Sequence, residues 1–451
     1  MMATDDSLPN DEIRARDLRR ELVRQLQQDG AILTDAVADA FFAVPRHRFL
    51  PDTPLDQVYR DVVIPTKFTG HEAISSSSQP TMMAIMLEQG DFRPNQRVLE
   101  IGAGTGYNAA LIAHIVGESG QVTTIDIDDD LVAAARDHLR AAGYERVRVL
   151  LGDGWHGDPS AEQAAPYDRI MVTARALDIS RAWFDQLAYH GRLIVPLDIW
   201  AGVQYSVAFE RLRDSAYGDC LVSRSSSACG FIPLRGLGVS ENSIIPGEMI
   251  TRDTDMLSIS RAAFPQDDDL ITPYESIRLM LVNDWVDRES SVSASAYALY
   301  GAGFYLWMAL RARPPFAPRD DLRPVLVSGK SEMRRSLGDL FGRSRRESAR
   351  SSEGSETVQT FGIASNNGLA LLLRGGERGN RMRLIVRRFG HDETPAHYLI
   401  HLLQAWAKAG QPTADHMQVA AIQSDVPLPE HPTVIRKPAF SYIVRWVNAI
   451  M

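Results

Sequence analysis

The run from Arg97 to Gly106, Arg-Val-Leu-Glu-Ile-Gly-Ala-Gly-Thr-Gly, constrains this chain more than any other stretch. An apolar strand passes directly into a turn carrying Gly102, Gly104 and Gly106. Only residues without a Cβ let a backbone turn so tightly and come so close to a ligand. Asn108 to Val116 then reads as a helix stopped by Gly117. Strand, glycine turn and helix in that order predict an α/β sheet with a nucleotide-type pocket outside its carboxyl edge.

Glycine turns of this kind also serve nicotinamide and flavin enzymes, so the ligand's identity depends on the acids nearby. Glu100 stands two residues before Gly102, and a second strand, Gln121 to Ile127, delivers Asp126 where an acid meets ribose hydroxyls. A third strand, Val147 to Leu151, ends in Gly152-Asp153-Gly154. Three carboxylates on successive strand ends suit a neutral nucleoside with a cationic tail better than a pyrophosphate. That favours S-adenosylmethionine, with a dehydrogenase-like or purely structural turn as the competing reading. The pocket is assigned Glu100, Gly102, Gly104, Gly106, Asp126, Ile127, Gly152, Asp153, Gly154 and Thr173.

Between Gln96 and Leu197 strands alternate with helices, which predicts a mostly parallel sheet. Val203–Leu212 and Cys220–Leu234 read as consecutive strands, so the sheet ends in an antiparallel hairpin. Asn10–Gln28 and Thr34–Ala43 are amphipathic and predict two helices forming a lid or collar ahead of it. A first domain therefore spans 1–235. Residues 236–451 read as a second, α+β domain, with helices at Tyr274–Val286, Ala294–Leu310 and Pro395–Ala409. Its predicted strands are Val325–Val327, Thr357–Ala364, Leu369–Leu373 and Met382–Val386. Gly342–Glu356, rich in Arg and Ser, reads as a mobile loop, with a peptide-binding arm as the sharper alternative.

With 48 Lys and Arg against 57 Asp and Glu, a net charge of −9, the chain lacks the basic excess of nucleic-acid binders. Met1–Asp11 is polar and no apolar run reaches membrane length, so a cytoplasmic protein without membrane contact is expected. Cys220 and Cys229 form no CxxC pair, which speaks against zinc and a disulfide framework. His397 and His401 have the spacing of two zinc ligands, but the glutamate that zinc hydrolases place after the first histidine is missing; no metal is assigned.

The N-terminal half resembles the protein-L-isoaspartate O-methyltransferases. The matching segments are Val44-Pro45-Arg46 with Phe49-Leu50-Pro51, Ile74–Met86 with Ser78-Gln79-Pro80, the glycine turn, Gly152-Asp153-Gly154, Pro166–Ile170, Val172-Thr173-Ala174 and Gly191–Pro196. In order and spacing they span about residues 10 to 212. The resemblance implies a Rossmann-like fold and S-adenosylmethionine-dependent methylation of a peptide or protein carboxylate, on aspartate or isoaspartate. It also implies that Ser78 orients that carboxylate, with Ser77, Gln79, Val195 and Pro196 beside the substrate; Arg175, outside the family pattern, is a candidate guide for a substrate carboxylate, with a surface ion pair as the competing reading. A serine two residues before proline also suits a helix cap, so Ser78 has a structural alternative.

Two departures from the family pattern stand out: more than two hundred further residues, and Arg175-Ala176-Leu177-Asp178 where small residues are usual. The extension and the serine run Ser75–Ser78 look like the branch found with ribosomally made peptides such as lanthipeptides, lasso peptides and graspetides. There a normal aspartate in a constrained peptide is methylated and closes to aspartimide, which opens to isoaspartate. Repair of isoaspartyl proteins is the alternative activity, and a catalytically silent peptide-binding module the alternative of another class.

Overall fold

The computed structural model describes residues 10–70, 72–160, 166–200, 203–214, 216–236, 248–252, 255–259, 285–295, 299, 304–311, 317–330, 357–378, 381–428 and 433–446. Gly342–Glu356 and most of Tyr274–Val286 lie outside them.

Helices α1 (Asn10–Gln28) and α2 (Asp35–Ala43) open the chain. The Thr34 side chain accepts from Val37 N, and Glu88 accepts from the amides of Leu33 and Thr34 at 2.8 Å, tying the start of α2 to the body. After the short α3 (Leu55–Val58), β1 (Ile64–Thr69) and β2 (Glu72–Ser77) form an antiparallel hairpin. The serine run is thus the end of β2. Helix α4 (Pro80–Gly90) follows, with proline in its first turn.

The expected α/β unit is then built from β3 (Arg97–Ile101), α5 (Tyr107–Val116), β4 (Gln121–Asp126), α6 (Asp129–Ala141), β5 (Arg148–Leu151), β6 (Tyr167–Val172), α7 (Arg181–Gln186) and β7 (Leu187–Trp200). Strands β3 to β7 pair parallel in the order β7-β6-β3-β4-β5. Strand order reverses between β3 and β6, the place where open α/β sheets bind ligands. Val98, Leu99, Ile170, Val172, Leu193 and Val195 are almost wholly buried, as a sheet covered on both faces requires. Beyond β7, β8 (Val203–Asp214) and β9 (Gly218–Ala228) are antiparallel, as the sequence predicts.

The sheet does not stop there. Strands β17 (Met417–Gln423), β18 (Val434–Arg436) and β19 (Phe440–Trp446) return to it, β17 pairing with β9 through Ala420, Ala421 and Ile422. The full order is β18-β19-β17-β9-β8-β7-β6-β3-β4-β5. A division at residue 235 therefore cuts through this sheet rather than beside it.

Between β9 and β17 a second sheet is inserted, built from β10 (Glu248–Arg252), β11 (Asp255–Ile259), β12 (Trp285–Ala294), β13 (Arg323–Lys330), β14 (Thr357–Ala364), β15 (Gly368–Arg378) and β16 (Arg381–Gly390). Its order is β10-β11-β13-β14-β15-β16-β12, every pairing antiparallel. Helices α8 (Phe304–Arg311) and α9 (Thr394–Lys408) pack on it, with Phe304 5.2 Å from Trp406 and 5.8 Å from Phe361. The ends of two expected helices are corrected: Trp285 and Val286 open β12 and Ala294 closes it, while Leu299 and Phe304–Arg311 are helical as expected. From Arg288 onward β12 alternates between a more covered and a more open face, the strand period.

Candidate active site

A cavity of about 480 Å³ opens at the carboxyl end of β3 and β4, under the β1–β2 hairpin and beside residues 228–235. Its floor is the glycine turn. Gly102 has φ +100°, and a Cβ there would stand 2.5 Å from Thr173 Oγ1. That hydroxyl donates to the carbonyls of Ile101 (3.0 Å) and Gly102 (2.9 Å). Gly104, at φ +51°, donates its amide to Asp126 Oδ2 at 2.9 Å. Asp126 thus orders the turn while its carboxylate borders the cavity.

Of the residues assigned from sequence, Gly102, Gly104, Asp126, Ile127, Gly154, Thr173, Ser77, Ser78 and Gln79 line this cavity. The others are placed elsewhere. Glu100 is fully buried beneath the turn, accepting from Asn108 Nδ2 at 2.7 Å and Thr124 Oγ1 at 2.5 Å. Burial pushes its carboxyl up to about 7. It braces the turn from below and presents no oxygen to the cavity wall. Gly106 lies against Leu139 and Ala135 of α6, so its missing Cβ admits a helix, not a ligand. Gly152 follows β5, its amide bound to Asp126 O at 2.9 Å. Asp153 caps the next turn by accepting from Trp155 N at 2.9 Å.

Val195 and Pro196 are buried inside β7, paired with Val207 and Ser206 of β8, so they belong to the sheet's core. Arg175 acts through its backbone: its amide donates to Ile232 O and its carbonyl accepts from Leu234 N, both at 2.9 Å, which holds the 232–234 wall of the cavity in place. Ser78 follows the last residue of β2. The residue at the N-cap of α4 is Gln79, and its side chain makes no capping bond; the Ser78 hydroxyl has no hydrogen-bond partner among the described residues. The capping alternative for Ser78 is therefore not what the geometry shows.

Sequence reasoning passed over several residues. Asp61 supplies the missing cap, accepting from Thr81 N and Thr81 Oγ1, each at 2.8 Å. Arg46, quoted only as part of a motif, is buried behind the serines, its Nη2 donating to Ser77 Oγ at 3.1 Å and Ser78 O at 3.0 Å. Asp128 joins two walls of the cavity, bound by Arg235 at 2.5 Å and by Lys67 of β1 at 3.1 Å. Arg235 is the one cation among the described lining residues, and Asp128 holds it. The histidine pair of α9 lies apart from all this: His397 meets Arg288 and Glu393, and His401 stacks on Tyr398.

A glycine turn at the switch point of a mixed sheet, with an acid at the next strand's end, marks an α/β protein that binds a nucleoside cofactor. The profile described as "Protein-L-isoaspartate(D-aspartate) O-methyltransferase (PCMT)" matches residues 17–237. The protein-L-isoaspartate O-methyltransferase of Methanopyrus kandleri is 37% identical over 236 residues, 52% of this chain and 96% of its own. That of Hyperthermus butylicus is 39% identical over 230 residues, 49% of this chain and 90% of its own. A solved structure named protein-L-isoaspartate O-methyltransferase aligns with 23% identity and a TM-score of 0.46, over 90% of this chain and 98% of that one. The chain belongs to the protein-L-isoaspartate(D-aspartate) O-methyltransferase family, whose members are S-adenosylmethionine-dependent carboxyl O-methyltransferases.

Proposed function

We propose that the chain methylates a carboxylate of an aspartate or isoaspartate residue in a peptide, and that Ser78 receives that carboxylate. One observation carries the reading: the glycine turn with Asp126 and the unpartnered Ser78 hydroxyl face one continuous cavity. The residues present fit S-adenosylmethionine. Asp126 is an acceptor suited to ribose, no free cation among the described lining residues awaits a pyrophosphate, and the turn leaves room where Gly104 lacks a Cβ. When bound, that molecule supplies a methyl carbon made electrophilic by its sulfonium.

A carboxylate with an ordinary pKa near 4 is ionised at neutral pH and needs no general base. The chain's own residues have only to align and desolvate it. The hydroxyls of Ser78 and Ser76 line the substrate side, with Met82, Met83 and Met86 as its apolar wall, while the Thr81 hydroxyl is committed to Asp61. Hydroxyl donors orient an anion without the tight charge pairing that would blunt its lone pair. Holding nucleophile and methyl in line supplies roughly 7–11 kcal/mol in favourable cases.

For the finer substrate, we infer a dedicated peptide methylated at one aspartate. What supports this is the inserted sheet of β10 to β16 with α8 and α9, a second core lying outside the 17–237 match. Rejecting the many normal aspartates of cellular proteins requires such additional surface. Methylation would let the following backbone nitrogen displace methanol, leaving the peptide one water lighter. The test is a paired assay, with unrelated short isoaspartyl peptides on one side and constrained aspartyl peptides encoded nearby on the other. Methylation and water loss on the second alone supports maturation. Rapid turnover of the first alone returns the protein to repair, and no turnover of either with intact cofactor binding leaves a binding module.

A further inference from the structure

Ser78 is held by two residues of opposite charge that never touch the cavity themselves. Arg46 is fully buried, and its guanidinium reaches Ser77 Oγ, Ser78 O and, at 2.9 Å, Val58 O. No carboxylate forms an ion pair with it among the described residues, and burial pulls its pKa down. On the other side Asp61 accepts from Gln79 Nε2 at 2.8 Å and from both donors of Thr81. The backbone is thus pinned at the Ser78 carbonyl and at Thr81 N, and the side chains of Ser77 and Gln79 on either side are held as well, while the Ser78 hydroxyl has no partner among the described residues.

Burying a cation with no carboxylate bonded to it is costly; Asp61 acts on Arg46 through space only, and the shortest bonds Arg46 makes go to the two serines at the cavity rim and to the Val58 carbonyl. Asp61 is likewise directed at the two residues flanking Pro80 and not at Arg46. We propose that Arg46 and Asp61 are a pair of positioning residues that preset the direction of the Ser78 hydroxyl toward the substrate carboxylate. Preset orientation removes a rotational cost that would otherwise fall on the transition state. The proposal rests on the role given above to Ser78.

Asp61→Asn, which keeps one acceptor and loses the other, and Arg46→Lys are compared in the native and the Ser78→Ala backgrounds. Readouts are kcat and KM on whichever peptide the paired assay above finds methylated, and calorimetric binding of S-adenosylhomocysteine. Asp61→Asn is expected to lower kcat/KM by about tenfold, the worth of one charged hydrogen bond, with cofactor-product affinity unchanged and Arg46→Lys milder. In the Ser78→Ala background the further loss is expected to shrink below about twofold, because residues acting through one group are not additive. The same tenfold loss in both backgrounds would overturn the proposal and leave the pair a purely structural role. Amide hydrogen exchange, which needs no substrate, is followed in parallel. Asp61→Asn should speed exchange at Ser77–Thr81 and leave Met86–Gln89 unchanged; unaltered exchange at Ser77–Thr81 overturns the positioning role even where no peptide is methylated.

Discussion

Single side chains here divide into those at the cavity and those that hold them. Ser78 is of the first kind, and with the role proposed for it Ser78→Ala is expected to keep S-adenosylhomocysteine binding while methyl transfer falls tenfold or more, the loss of about 1.5–3 kcal/mol for a hydrogen bond to a charged group. A radiolabelled methyl assay beside calorimetry reads both. Glu100 is of the second kind, and its burial makes a pH signature. Its folded-state value of about 7 lies above the ordinary 4.5, so the folded protein keeps a proton that the unfolded chain releases. This contribution is fully present below pH 4.5 and is lost as pH rises through 7, about 3 kcal/mol in all. Glu100→Gln should therefore flatten the ligand-free protein's stability between those pH values and raise its melting temperature at pH 8. Thermal melts across pH test this, and a Glu100→Gln protein that retains the native slope would refute it.

At the scale of elements, the β1–β2 hairpin and the 228–235 segment close over the glycine turn and meet on Asp128. Asp128→Ala releases Lys67 and Arg235 together and should weaken S-adenosylhomocysteine binding, with faster dissociation and less dependence on salt than the native latch. Stopped-flow dissociation at two ionic strengths measures it. The parallel unit was legible because apolar runs, glycine turns and amphipathic helices all obey local rules, and β3, α5 and β4 fall within a residue or two of expectation. The hairpin was not: Ile64–Thr69 mixes polar and apolar residues without alternation and is mostly exposed, with Pro65 on the cavity. Asp126 was readable as a strand-end acid, whereas Asp61 and Arg46 were not. A cap supplied from twenty residues upstream leaves no local pattern, and a buried arginine bonded to carbonyls looks in sequence like any surface one.

The molecule as a whole is more interleaved than its sequence suggests. Asp178, one of the departures from the family pattern, accepts from Ala439 N at 2.7 Å, Tyr442 Oη at 2.5 Å and Ile179 N at 2.8 Å. Lys437 donates to the carbonyls of Leu177 and Asp198 beside it. This polar junction fastens β18 and β19 to the catalytic half. Asp178→Ala should cost about 3 kcal/mol by stranding those donors, lowering the melting temperature without a specific defect in cofactor affinity. Truncation after residue 235, which on a two-domain reading would leave a working catalytic unit, should instead yield aggregated protein, because it bares β9 and the apolar face that β17 and β19 cover. Solubility and circular dichroism of that fragment decide the point. The order of synthesis follows as well. As the chain leaves the ribosome, the glycine turn and cavity walls emerge early, yet β9 must wait through about two hundred residues for its partner. For that interval the newborn protein carries an open strand edge, and its demand for chaperones should track the length of the insertion rather than the difficulty of the catalytic fold.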